Sequence, residues 1–306
     1  VSQSGTGNVG SPDPVAADER RPSQAADQLE ERPPSPEIDI SKPNIARIYD
    51  YYLGGKHNYA VDRQTAEQVL KVVPDVHLLA RLNRHFLIES VRWLAQEAGV
   101  RQFLDIGTGL PTQQNVHEVA QSIDPDAKVV YVDVDPLVRV HAEALLANNP
   151  NTIFLTGDLR EPEDLLGRPE LRDHLDFSQP IALLLVAVLH FIEDDQQAYH
   201  SVKTLCDALP SGSYLVLSHG LKEESLEQMR AVYHRASLSG RPRTEEEIRR
   251  FFDNLTFVGC GLARGADWVA PDRPKGTAEG DKVLSLGDPE AARKLPIMCA
   301  IARIDR

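Results

Sequence analysis

The 306-residue chain has little cysteine, methionine or tryptophan and no excess of positive charge. Its three cysteines, Cys206, Cys260 and Cys299, show no CxxC spacing and stand in mostly apolar settings. This argues against a zinc site and a disulfide framework and predicts reduced, mostly buried thiols. No metal is expected. Lys and Arg number 33 against 46 Asp and Glu, a formal net charge of -13. A protein whose main task is to coat nucleic acid needs a basic face, so no nucleic-acid partner is expected, although a local basic patch stays compatible with this balance. No secretory signal is visible, since the N-terminus lacks an apolar h-region. The longest apolar run, IALLLVAVLHFI at 181–192, is too short to span a bilayer. These absences predict a soluble, cytoplasmic chain with no membrane partner, and they leave its oligomeric state open.

What is present is unevenly distributed. Residues 1–40 are rich in Ser, Pro, Asp, Glu, Gln and Ala and hold almost no large apolar side chains. Such a segment cannot bury enough surface to offset chain entropy and should be a disordered acidic, Pro-rich tail. From Ile45 the pattern changes. IARIYDYYL has helical spacing and is broken by Gly54-Gly55; a second helix is expected over about 62–72, and a long amphipathic one over 76–99. Residues 41–100 therefore read as an N-terminal helical cap. From 101 to 306 short apolar strands alternate with helices: strands at 101–107, 128–135, 152–158, 180–189 and 213–220, then at 255–263 and 296–304. That alternation predicts an α/β fold, a mostly parallel seven-stranded sheet with helices on both faces. Thr244 followed by Glu247 fits a capping box. A Gly/Pro/Asp-rich loop is expected over about 265–294.

The strongest chemical signal is FLDIGTGLPT, 103–112. A buried strand runs into Asp105-Ile106-Gly107-Thr108-Gly109, where glycines permit a tight turn and close approach of a ligand. Open α/β sheets bind ligands at the carboxyl ends of their strands. Thr112 stands where a dinucleotide fingerprint would place its third glycine, which weakens a nicotinamide reading. An acid two residues before the first glycine suits a ligand made of an adenosine and an amino acid.

FLDIGTG resembles motif I of the class I methyltransferases, whose methyl donor is S-adenosylmethionine and whose product is S-adenosylhomocysteine. That resemblance implies a Rossmann-like domain over 101–306 in which Asp105, Gly107, Thr108 and Gly109 border the donor. Asp133 and Val134 would meet its ribose and adenine, Asp158 its adenine amino group, and Leu159 its ring, with Ala187 after the fourth strand completing the set. VLHFIED (188–194) and LPSGSYLVLSH (209–219) resemble later segments of the same superfamily. Plainer readings stand beside these. Asp133 and Asp135 can cap loops, and Asp158 can open a turn. His190 can be a general base, a substrate-orienting group or a satisfied structural histidine.

A narrower resemblance covers about 42–304. ARIYDYYLGGKHNYAVDR, NRHFL (83–87), FLDIGTGLPTQQNVHEVAQ, VVYVDVDP and IALLLVAVLHFIEDD together are similar to an actinobacterial S-adenosylmethionine-dependent methyltransferase family, formerly a domain of unknown function. The second glutamine of LPTQQNVH, Gln114, departs from that pattern, which has a small residue there. The implied activity is in-line methyl transfer to an acceptor that the motifs do not name. Motifs for methylating exocyclic base amines or cytosine C5 are missing, which favours a small molecule; a protein acceptor stays compatible. The alternative is a non-catalytic protein that binds the donor or its product and regulates. On the methyltransferase resemblance, the tyrosine-rich segment 44–63 would be a lid over the methyl donor: Tyr52, Lys56 and Tyr59 lining the donor or acceptor site, Gly54 and Gly55 admitting the ligand, and Arg47 or Lys56 meeting the methionine carboxylate. Helix packing is the plainer reading for the tyrosines, and a simple turn for the two glycines.

Overall fold

The structure, a computed structural model, describes residues 39–111, 114–146, 148–271 and 289–305. The acidic tail, Thr112 and most of the 265–294 loop lie outside the described residues. The cap comprises α1 (Ile45–Tyr52), α2 (Ala60–Leu70) and α3 (Val76–Gln96). Then come β1 (Gln102–Ile106), α4 (Val116–Ile123), β2 (Lys128–Asp133), α5 (Pro136–Leu146) and β3 (Thr152–Thr156). Two short helices follow, α6 (Pro162–Gly167) and α7 (Pro169–His174), then β4 (Ala182–Val186), α8 (Asp195–Ala208) and β5 (Tyr214–Gly220). The chain closes with α9 (Glu224–Arg235), α10 (Glu245–Arg249), β6 (Thr256–Phe257), β7 (Ala263–Arg264), α11 (Pro289–Lys294) and β8 (Ile297–Arg303).

The strands form one sheet in the order β3-β2-β1-β4-β5-β8-β6, with β7 also on β8. β1 to β5 run parallel, and β8 enters antiparallel beside β5, Gly220 opposite Ile297. This is the class I methyltransferase arrangement that the motifs imply. The chain winds outward from β1 to β3 and then crosses back to β4, so the sheet's switch point lies between β1 and β4, where an open sheet leaves a crevice.

The sheet is eight-stranded because the expected strand at 255–263 is two. Gly259 and Gly261, at φ 65° and 74°, turn the chain between β6 and β7, and both pieces pair with β8. That turn leaves Cys260 exposed, whereas Cys206 and Cys299 are buried as expected. α6 and α7 were not foreseen: each has only six residues after a proline, too few for a helical period to register. The capping box at Thr244 forms, with Glu247 N–H donating to Thr244 Oγ1 at 3.2 Å and Thr244 N–H to Glu247 Oε2 at 2.7 Å.

Alternation along the buried strands divides the core. Leu104, Ile106, Leu183 and Leu185 face one apolar layer, while Phe103, Ala182 and Leu184 face the other, which α3 covers with Leu82, Phe86 and Val91. No described helix is long and apolar enough to cross a membrane. In the cap, α1 is tied to the start of α2 by a buried ion pair. Arg47 Nε lies 2.7 Å from Asp62 Oδ2, with the two side chains 3% and 0% exposed. Asp62 also accepts the N–H groups of Asn44 and Tyr59, both at 2.9 Å. Removing one partner of such a pair strands the other charge. Arg47→Met should therefore cost about 3–5 kcal/mol of stability in urea unfolding; a loss below about 1 kcal/mol, the surface-pair range, would show that Asp62 is not relying on it.

Candidate functional site

A cavity of about 520 Å³ runs along the carboxyl edge of the sheet beneath the cap. Over β1, β2 and β3 its wall holds Asp105, Gly107, Thr108, Gly109, Asp133, Val134, Asp135, Asp158 and Leu159. Over β4, β5 and the start of β8 it holds Ala187, His190, Phe191, Gly220 and Ile297, with α9 above. The nine residues named for the donor from the motifs, with His190, are thus brought together.

The acidic half is built by strand ends. Asp133 closes β2; one carboxylate oxygen accepts Gly109 N–H at 2.9 Å and the other accepts Asp135 N–H at 3.0 Å. The loop-cap reading of Asp133 is therefore correct as far as it goes, and each oxygen keeps a second lone pair for a ligand hydroxyl. Asp135 is a cap: it accepts Leu137 N–H at 2.8 Å at the start of α5. Asp158 accepts Arg160 N–H at 2.9 Å and is chelated by the Arg160 guanidinium, which holds its carboxyl below the usual range. Val134 projects at 55% exposure, an apolar surface that a ring can cover.

Gly107 has φ 75°, and a Cβ there would come within 2.2 Å of Val188 Cγ2. Only glycine lets the β1 turn pack on the turn after β4. Gly109, at φ 66°, faces open space, with nothing within 4 Å of where its Cβ would be. Gln114 has φ 59°, a left-handed conformation that glycine or asparagine adopts more readily than glutamine.

His190 stands on the cavity wall, and its Nδ1 has no partner among the described residues. Burial, helped by the Arg243 guanidinium, pushes its pKa down to about 4. The imidazole is consequently neutral near pH 7, a hydrogen-bonding group with little basicity. Arg243 is fully buried and organises this region. It pairs with Asp195 at 3.0 Å and donates to the carbonyls of Leu189 and Ile192 at 3.2 and 2.8 Å. It also meets His219 Nε2 at 3.0 Å, and Arg241 N–H donates to the His190 carbonyl at 2.7 Å. The sequence did not point to either arginine.

The lid segment requires a correction. Among its candidates Tyr52 lines the cavity, but Arg47, Gly54, Gly55, Lys56 and Tyr59 do not. At 100° per residue, Ile45, Ala46, Tyr49 and Tyr52 share one face of α1, and Arg47 points nearly opposite, to Asp62. Tyr59 precedes α2 under the Arg47 guanidinium, 5.3 Å from its ring centre. Gly54, at φ 79°, ends α1. Gly55 makes room for the Asp50 carboxylate, 1.9 Å from where its Cβ would lie. Asp50 in turn accepts His57 N–H at 2.8 Å and Asn58 Nδ2–H at 2.9 Å. The glycines serve a turn around Asp50, and Lys56 is exposed.

Cavity residues not singled out for a site role include Tyr49 of α1, Asn83 and Arg84 of α3, and Arg230 of α9. Tyr49 donates to the Ala80 carbonyl at 3.1 Å and accepts from Asn83 Nδ2 at 3.0 Å; Ser218 Oγ donates to Asn83 Oδ1 at 2.5 Å and accepts Ala187 N–H at 2.9 Å. This polar chain joins the cap to the backbone after β4 and steadies Ala187 at φ 55°. Arg84 reaches the wall beside Asp105. Asn83 and Arg84 interrupt an otherwise apolar face of α3, the one signal by which sequence could have marked them.

Asp105 is 5% exposed and accepts the Thr108 hydroxyl at 2.8 Å. Burial raises its pKa from 3.8 to about 6, with Thr108 and Arg84 opposing and Asp133 adding to the rise. The folded state binds this proton more tightly than the unfolded chain, so its contribution is present below pH 4 and lost as the pH climbs through 6. Urea unfolding should show wild type losing about 3 kcal/mol relative to Asp105→Asn between those limits, at about 1.4 kcal/mol per unit. Parallel pH profiles would show that the carboxyl titrates normally.

Comparison with known proteins agrees with this fold. The profile of the S-adenosyl methyltransferase family matches residues 31–305. A Thermobifida fusca YX crystal structure shares 41% identity over 89% of this chain and 99% of its own, with a TM-score of 0.80. A DUF574 family protein from Streptomyces avermitilis MA-4680 shares 37% identity over 87% and 99%, with a TM-score of 0.77. No curated protein matches the chain. With a family profile spanning nearly its whole length and a sheet of the corresponding order, the chain belongs to the S-adenosyl methyltransferase family.

Proposed function

We propose that the protein is an enzyme that binds S-adenosylmethionine and transfers its methyl group to a small-molecule acceptor, releasing S-adenosylhomocysteine. The observation that carries this reading is the two-part cavity: strand-end carboxylates and glycine turns over β1–β3, and an apolar, aromatic chamber over β4 and β5, continuous within about 520 Å³. The donor set fits the cofactor. Asp133 has lone pairs left for the ribose diol. Val134 and Leu159 offer apolar surface to the adenine, with Asp158 near its amino group. Gly109, with open space where its Cβ would be, leaves room for the amino-acid portion, bordered by Asp105, Gly107, Thr108 and Ala187. Arg84, in place of Arg47 or Lys56, is the cation on the wall beside β1 and suits the methionine carboxylate.

Bound S-adenosylmethionine would supply an activated methyl group on a positive sulfur. The protein's own work is to hold the acceptor in line and exclude water, which the cap does through Tyr49 and Tyr52. His190 is suited to orient the acceptor as a neutral hydrogen-bond partner. Its depressed pKa makes it a weak proton acceptor, so an acceptor that ionises readily fits best.

Titration calorimetry with S-adenosylhomocysteine should show binding, and Asp133→Ala should weaken it by about 1–3 kcal/mol. Unchanged affinity in a folded variant would mean the ribose lies elsewhere. Incubation with methyl-labelled donor and an extract of small molecules should move label into an acceptor. Label that never leaves the donor, despite tight binding, would favour the regulatory reading.

A further inference from the structure

The two halves of the cavity differ in their charged groups, the half over β1–β3 holding Arg84 and Arg160 besides its carboxylates. All its lining carboxylates, Asp105, Asp133, Asp135 and Asp158, stand at the ends of β1, β2 and β3 or just beyond. The half over β4 and β5 has none among the described residues, and its charged lining groups are Arg230 and Arg241. Arg241 is already neutralised, gripping both oxygens of Asp195 at 2.8 and 2.5 Å. Arg230, 35% exposed, is held less tightly: it pairs with Glu227 on the same helix at 3.6 Å, Glu227 being 37% exposed, and its Nε is buried without a hydrogen-bond partner among the described residues.

Arg230 is placed by helical periodicity. Leu226, Met229, Arg230 and Tyr233 recur at i, i+3, i+4 and i+7, and all four line the cavity. Leu226 seats this face over the end of β5, 2.8 Å from where a Gly220 Cβ would lie. Tyr233 turns its hydroxyl to Tyr52 of the cap, and Phe191 packs against the same cluster. The chamber is therefore aromatic and apolar, and of its two guanidiniums only that of Arg230 is not gripped by both oxygens of a carboxylate, an arrangement that holds a flat ring and pairs with an acid.

We propose that the methyl acceptor is a small aromatic acid whose ring packs against Phe191, Met229 and the Tyr52–Tyr233 contact and whose carboxylate is held by Arg230. This rests on the methyltransferase reading of the cavity. A negative acceptor beside a cationic sulfur also balances charge.

The test uses the full chain saturated with S-adenosylhomocysteine, titrated by calorimetry with hydroxynaphthoate and with its neutral amide, hydroxynaphthamide. Wild type should bind the acid at least about tenfold tighter than the amide, as a charge-assisted pair requires. Arg230→Gln should lose that preference while keeping its affinity for the amide and for S-adenosylhomocysteine, and Arg230→Lys should keep part of it. Equal binding of acid and amide, a preference that survives Arg230→Gln, or no binding of either probe overturns the proposal and leaves the methyltransferase reading standing. Failure of S-adenosylhomocysteine itself to bind brings down both.

Discussion

A missing methyl group at residue 107 sets how the two halves of the cavity meet. A side chain there would collide with Val188, so glycine is what lets the turn after β1 pack against the turn after β4. Those turns flank the switch point of the sheet, and everything on the cavity wall is indexed to them. Gly109 and Asp133 are locked to each other on one side; on the other, Ala187 precedes Val188 by one residue and His190 follows it by two. A larger residue at 107 would part the donor half from the acceptor half even if each kept its own hydrogen bonds.

Two buried polar devices hold that junction from behind. Arg243 gathers the carbonyls of the turn after β4, the imidazole of His219 and the carboxylate of Asp195, and it lies over the Phe251 ring at 5.4 Å. A guanidinium spread over so many acceptors is satisfied despite complete burial, which is the condition for such a charge to be tolerated. The Tyr49–Asn83–Ser218 chain does the same from the cap side and ends on the Ala187 amide. Between them, a non-glycine residue is kept in the left-handed region at the point where the strand must release the chain into the cavity.

The parts legible in the sequence are those governed by local rules. β1 to β5 announce themselves because a strand buried on both faces is a short apolar run, and the turn after β1 because its glycines and its acid lie within five residues of one another. The failures come from partners far apart in sequence. Arg47 looked like a ligand for an anion, yet Asp62 lies fifteen residues on, and only the turn between α1 and α2 brings them together. Gly54-Gly55 looked like a ligand approach because nothing local shows that Asp50 folds back over them. In α9, an arginine within an apolar stripe reads as a rim residue until the cavity beneath it is seen.

The charge partition has a consequence for selectivity. A net charge of -13 should repel anionic molecules at long range, so a negative acceptor gains nothing from steering and must be recognised at contact. Contact recognition is what a cation within an aromatic chamber provides, since its field is screened outside and strong inside. The same geometry discriminates against neutral analogues: they would fill the space beside the Tyr52–Tyr233 contact but leave the guanidinium with only Glu227. The two ligands' carboxylates would then be received by different cations, the methionine's by Arg84 and the acceptor's by Arg230, with the neutral His190 where the chamber opens from the turn after β4.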